Sequence, residues 1–269
     1  MRFSTIKAPK ENVANKEYQA SGFIPYKAHW NDNTVITYDN SLVQVIKVSG
    51  FSYETADDED LESKKNLRNT LFKGMASNDL ELYFHLSRKR EKPYADDYAS
   101  VDMPDGFALY LDQKWVEKHK GKDMYVNELY ITIVKKNSGL GAITGYEKAL
   151  SKFSKKKDTS SYDLAMKEAY EILEEATGRV VNSLRDYDPE LLGIVKIGEN
   201  YYSEIAEFFG TLVNCGEVSK MPLSTLDISK QIITHRLYFG KRSIEVKLHD
   251  GSSKYAGIIS VKSYSSKTW

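Results

Sequence analysis

Phosphate chemistry is the first possibility raised by the glycines. Two glycine-led runs stand out, Gly139-Leu140-Gly141-Ala142-Ile143-Thr144-Gly145 and Gly240-Lys241-Arg242-Ser243. A phosphate loop needs the spacing GxxxxGK[ST]: its backbone N–H groups cradle the phosphates, its Lys reaches them and its hydroxyl meets the magnesium ion. The first run lacks the closing Gly-Lys and misses the dinucleotide spacing by one residue. The second falls where a hairpin turn is expected. Both read as loops, and no GxxxxGK[ST] string occurs in the 269 residues.

The remaining reactive side chains are equally dispersed. His29, His85, His119, His235 and His249 lie far apart in sequence, and no pair has zinc-motif spacing. His85 and His235 fall in strand patterns, where a histidine more often satisfies a local hydrogen bond. Cys215 follows a helical pattern beside Gly216 without any cue for a base, and reads as a packed thiol. Asp57-Asp58-Glu59-Asp60 resembles a cation site in charge alone. EF-hand spacing is absent, and acids in a helix's first turn are explained by its dipole. Lys152, Lys155, Lys156 and Lys157 could touch phosphates, but such runs are commonly solvated connectors. Tyrosine is abundant at 19, without a base-stacking ladder. No catalytic, cofactor-binding or metal-ligating residue is therefore expected in this chain.

Composition narrows the class further. The 38 basic and 38 acidic residues cancel, and neither half of the chain is a charged arm. A neutral total argues against general nucleic-acid affinity, which needs a clustered basic surface. One cysteine cannot form an intrachain disulfide, which fits a reducing compartment. No apolar run approaches the ~18–20 residues that cross a bilayer, and Met1 to Lys7 lacks the apolar core of a signal peptide.

The elements that would position any site follow from periodicity. Ile24-Pro25-Tyr26 opens the ordered part, and Thr34–Tyr38 with Leu42–Val48 predict a hairpin around Asp39-Asn40. An acid-led helix is expected from Asp57 to Met75, capped by Thr55 with Asp58 and buried along Leu61, Leu67, Leu71, Phe72 and Met75. Strands follow at Leu80–Leu86 and Tyr125–Val134, separated by a charged loop (Arg88 to Pro93) and a short helix with Phe107, Leu111 and Trp115 on one face. After a connector comes a long helix, about Tyr162 to Leu184, whose inner stripe is Ala165, Ala169, Leu173, Ala176, Val180 and Leu184. A strand (Leu191–Ile197), a helix (Tyr201–Val213, burying Ile205, Phe209 and Leu212) and three late strands (Ile232–Phe239, Ser243–Leu248, Tyr255–Tyr264) complete the pattern. His249-Asp250-Gly251-Ser252 supplies the last turn. The fold class is α+β, mixed or antiparallel sheets with packed helices. The expected organisation is a lead-in over 1–22, a first α+β lobe over 23–136, a connector over 137–160 and a second α+β lobe over 161–269.

Several of these segments, in this order, resemble the N-terminal region of the CagE/TrbE/VirB family, the large ATPases of bacterial type IV secretion and conjugation. They are Ile24-Pro25-Tyr26, Ser41–Val48, Phe51–Asp60, Arg68-Asn69-Thr70-Leu71, Tyr125–Thr132 (against the family's "vNELYLT") and Ala256–Tyr264 (against "ailsikeYp"). The resemblance spans about positions 23 to 264. It implies a nucleotide-binding domain of RecA type, with ATP and Mg2+, outside these residues, so no ATPase residue carries over and the chain is expected to be the front part of a longer or divided protein. It further implies a scaffold held at the cytoplasmic face of the inner membrane, in contact with inner-membrane components of the secretion system and with neighbouring ATPase subunits, as a homo-oligomer in the longer protein. Family alone does not fix an interface. An alternative, a module that contacts nucleic acid in conjugation, rests on the same resemblance and has no support from charge; a truncated paralogue with a structural role is another.

Overall fold

The computed structural model describes residues 20–51, 56–75, 77, 79–91, 106–119, 124–136, 159–216 and 219–261. Strand β3 (Leu42–Val48) organises them, because nearly every residue in it is buried. Leu42, Ile46 and Val48 point to one face while Val43 and Val45 point to the other. A strand covered on both faces reads as a continuous apolar run instead of an alternation. Strand β2 (Thr34–Thr37) pairs with its start and β5 (Met124–Lys135) runs along its whole other edge. The short β6 (Pro189–Leu191) takes up the edge that β2 leaves open, opposite Ile46–Val48. Strand β1 (Tyr26–Asn31) pairs with β2, and β4 (Leu80–Glu91) pairs with β5. The path is β1-β2-β3-β5-β4, antiparallel throughout, with β4 at its outer end.

Helices cover both faces. Helices α1 (Asp58–Gly74) and α3 (Thr159–Ser183) lie on one side, where Leu71 and Met75, then Met166, Leu173 and Val180, meet Ile46, Ile131 and Ile133. On the other side α4 (Glu204–Val213) buries Ile205, Ala206, Phe208 and Phe209 against Val35, Val43 and Val45, joined by Ile228 of α5 (Ile228–Gln231). The Phe209 ring stacks on Tyr26 with centroids 3.6 Å apart. β6 thus joins the main sheet, and α3, α4 and α5 supply its two cores together with the described residues of 23–136.

A hairpin of β7 (Ile194–Ile197) and β8 (Asn200–Ser203) leads into α4. A three-stranded sheet of β9 (Arg236–Phe239), β10 (Ile244–Lys247) and β11 (Ser253–Ala256) follows. Its two turns close as expected: Gly240 N–H donates to Ser243 O at 2.9 Å, and Gly251 adopts φ 85° before Ser252.

The α+β class, the 34–48 hairpin, α1 and the inner stripe of α3 match expectation. Several details differ for physical reasons. Leu67 is exposed, so the buried stripe of α1 is narrower than its four-residue spacing implies. The N-cap is Asp57, with no side-chain cap bond, while Thr55 lies outside the described residues. Arg88 to Glu91 extend β4 instead of forming a loop, because β5 continues opposite them. The expected strand Leu191–Ile197 breaks in two at Leu192-Gly193. A Cβ on Gly193 would come within 2.4 Å of Asn33 Nδ2 and 3.2 Å of the Asp32 carbonyl oxygen, so any larger residue there forces the β1–β2 turn to shift. Tyr201 to Ser203 belong to β8, not to the helix, and Leu212 faces outward. Ile232 follows α5 as its C-cap, so β9 starts only at Arg236. The last strand stops at Ala256, and Ile258 and Ile259 lie exposed beyond it. Residues 1–19 of the 1–22 lead-in, residues 137–158 of the 137–160 connector and residues 262–264 of the expected last strand lie outside the described residues.

Candidate functional site

Most of the side chains flagged for chemistry lie among the described residues. Asp58, Glu59 and Asp60 form the exposed first turn of α1, and no group of three or more His, Cys, Asp or Glu among the described residues could hold a metal ion. Cys215 is exposed at the end of α4 in a left-handed conformation, φ 56°. Partial burial raises its thiol above the ordinary value, the opposite of what a nucleophile requires. His85 sits 3.1 Å from Thr132 Oγ1 and edge-on to Phe208. The His235 and His249 rings lie 4.7 Å apart. Gly139–Gly145 and Lys152–Lys157 lie outside the described residues.

One arrangement was not visible in the sequence. His29 Nε2 lies 2.7 Å from Ser203 Oγ, with the two residues 174 positions apart. His29 Nδ1 faces Asn31 O at 3.3 Å and so carries the proton, as assigned from this network. Nε2 then accepts from the Ser203 hydroxyl, whose oxygen in turn accepts from Ala206 N–H at 3.0 Å. The geometry is that of a serine activated by a histidine. Ser203, however, is only 3% exposed and its oxygen already caps α4, so a substrate has no approach. Burial lowers the His29 pKa, outweighing the Asn31 carbonyl and Asp32, and keeps the ring neutral. The pair pins α4 to β1.

The surface offers more than the interior. Helix α2 (Phe107–His119) sets Phe107, Leu111 and Trp115 on one stripe at four-residue spacing, with exposures of 77%, 57% and 54%. Tyr110 flanks the stripe, and neither core cluster of the described residues includes a residue of α2. On the α1–α3 face, an apolar groove of about 390 Å³ opens among Val48, Phe72, Phe84, Ile131 and Tyr187, with Arg68 at its rim. Lys64 lies over the rings of Phe51 and Tyr187, 5.0 and 5.3 Å from their centroids. Exposed apolar surface beyond scattered single residues more often marks an interaction site than a reaction centre. The spacing of Phe107, Leu111 and Trp115 was legible in sequence; their exposure was not, since an apolar stripe ordinarily implies burial.

These features define an antiparallel α+β domain flanked by helices, with exposed apolar surface. Residues 33–141 match the family "Type IV secretion system ATPase VirB4/TrbE, N-terminal domain", and residues 190–269 match "CagE, TrbE, VirB family, component of type IV transporter system". The chain belongs to this family and corresponds to its N-terminal region. It is 30% identical over 257 residues to the type IV secretion system protein virB4 of Bartonella henselae, covering 96% of this chain and 32% of that protein. The virB4 protein of Brucella suis is 28% identical (94% and 30% covered), and protein virB4 of Rhizobium radiobacter 26% (91% and 30%). The chain thus spans about a third of the length of these relatives. Among the described residues no helix is long and apolar enough to cross a membrane.

Proposed function

We propose that this chain is the scaffold and docking module of a type IV secretion ATPase, holding the motor against the inner membrane and contacting neighbouring subunits during export of DNA or protein. The observation that carries the reading is the exposed apolar surface of α2, where Phe107 and Leu111 are 77% and 57% exposed on a helix that adds no residue to either described core. Exposing such side chains is unfavourable in water by about 1.5–3 kcal/mol each, compared with burying them against a partner. ATP and Mg2+ act, in this reading, in the remaining two-thirds of the longer relatives, and the 269 residues turn over no nucleotide themselves. Two measurements test it. The purified chain is expected to show no ATP hydrolysis and no fluorescent-nucleotide binding. Co-expressed with the inner-membrane proteins of its secretion system, it is expected to co-purify with at least one of them in detergent. Phe107→Glu combined with Leu111→Glu removes that association while the far-UV circular dichroism stays unchanged. Nucleotide turnover, or no association by the unaltered chain, overturns the proposal.

A further inference from the structure

The groove on the α1–α3 face combines an apolar interior with a cationic rim. Val48 of β3, Ile131 of β5 and Leu184 after α3 are buried and line its inner part, with half-buried Leu129 beside them. Two edge-to-face aromatic pairs flank it, Phe72 with Phe84 and Phe51 with Tyr187, each with centroids 5.1 Å apart. Phe51 and Phe84 are 37% and 50% exposed and so stand at the mouth. Leu86 follows Phe84 on the same face of β4 and is exposed, which carries apolar surface outward along the strand. The volume of about 390 Å³ lies in the range of small-molecule sites. On α1, Lys64, Arg68 and Phe72 recur at four-residue spacing, so two cations share the stripe that leads to the groove. Like charges at this spacing repel. Lys64 is offset loosely by Asp186 at 3.8 Å, and Asp186 also faces Arg185 Nε at 3.7 Å. Arg68 lines the groove and forms no ion pair with any described residue.

We propose that this groove binds a single-chain fatty carboxylate, with the hydrocarbon chain between the two aromatic pairs and the carboxylate on Arg68. The lining selects this class of ligand. A guanidinium takes a carboxylate through two parallel hydrogen bonds, and the Lys64 ammonium adds positive potential beside it. Apart from Arg68 and the Tyr187 hydroxyl, the lining side chains carry no hydrogen-bonding group. An extended peptide lying there would find few partners for its backbone N–H and C=O groups, and a nucleobase would leave its ring edges unpaired. A hydrocarbon chain has no such groups and gains from leaving water in proportion to the area it buries. The unmatched charge of Arg68 then accounts for one acidic head group. The groove shares no residue with α2, so a chain that docks nothing through α2 still binds the fatty acid, and the two ideas fail separately.

The test uses the whole 269-residue chain and decanoate well below its micelle concentration at neutral pH. Titration calorimetry is expected to show saturable binding at one site in the micromolar range. Decanol, which keeps the chain and lacks the charge, binds about tenfold more weakly, as loss of a charge-assisted hydrogen bond implies. Arg68→Gln, at an exposed position that leaves the core intact, removes this preference and brings decanoate down to the level of decanol. Phe84→Glu puts a negative charge at the mouth and abolishes binding of decanoate. The site is read by methyl NMR, in which decanoate shifts the signals of Val48, Leu129, Ile131 and Leu184 and leaves that of Leu111 on α2 in place. Absence of saturable binding overturns the proposal. So does equal binding of decanol by the unaltered chain, a preference that survives Arg68→Gln, or methyl shifts confined to residues outside the groove. Binding to anionic phospholipid vesicles without binding of monomeric decanoate also overturns it.

Discussion

Phe209 offers the sharpest check on how the two halves of the chain are joined. Its side chain is 1% exposed, stacks on Tyr26 and lies 5.5 Å from the Phe208 ring. Phe209→Ala removes a fully buried ring from the core beneath α4. Large-to-small changes of this kind destabilise by about 3–5 kcal/mol, the spread reflecting how far the cavity collapses. About 0.5–1.5 kcal/mol of that is the ring–ring contact beyond burial alone. The Tyr26→Ala, Phe209→Ala double-mutant cycle isolates this coupling. In a chain of this size the single substitution should lower the melting temperature by roughly 10 °C. Urea unfolding followed by far-UV circular dichroism and by intrinsic fluorescence checks the value. If α4 packs on β1–β3 as described, both probes move together and one transition remains. A loss below about 1 kcal/mol would refute the reasoning, as would melting of α4 alone with the sheet unaffected.

Other expectations follow from the same geometry. Asn214 is buried; its amide donates to Gly210 O and Ile232 O, both at 2.7 Å, and its oxygen accepts from Thr234 and His235 N–H at 3.2 Å. Asn214→Ala strands those groups and should cost on the order of 3 kcal/mol in urea unfolding. Asn214→Asp, which can only accept, should not restore it. Gly193→Ala drives a Cβ into the Asn33 amide and breaks its bond to Leu192 O (3.1 Å), so a loss of about 1–3 kcal/mol is expected by the same assay. Burial lowers the pKa of both His29 and His85. The unfolded chain then binds more protons than the folded one below about pH 6.5. Stability from these groups is complete above that pH and lost as pH falls through the lowered folded values. Unfolding free energies at pH 7.5 and 5.5 should differ in that direction, and less so in His29→Gln.

Much of the fold was legible because local signals agreed. The acids of α1, its Leu71–Met75 spacing and the stripe from Ala165 to Leu184 each follow one period from end to end. Failures fell where tertiary context decides. Arg88 to Arg90 look like a loop by charge, yet β5 extends β4 through them. Tyr201 to Ser203 carry helix-like spacing, but pairing with β7 wins. Gly193 reads as an ordinary strand glycine until the β1–β2 turn is brought against it. The pairing of His29 with Ser203 had no local signal, since neither residue lies in a motif. Family wording identified the family, whereas the exposure of Phe107 and Leu111 on α2 emerged only from burial.

The central claim is that this domain docks a secretion motor through α2. It is tested most directly by co-purification of the 269-residue chain with the inner-membrane proteins of its own secretion system, beside the Phe107→Glu, Leu111→Glu variant. The account predicts retention by the unaltered chain and at least tenfold loss by a variant that remains folded. Equal retention of both, or of neither, contradicts it.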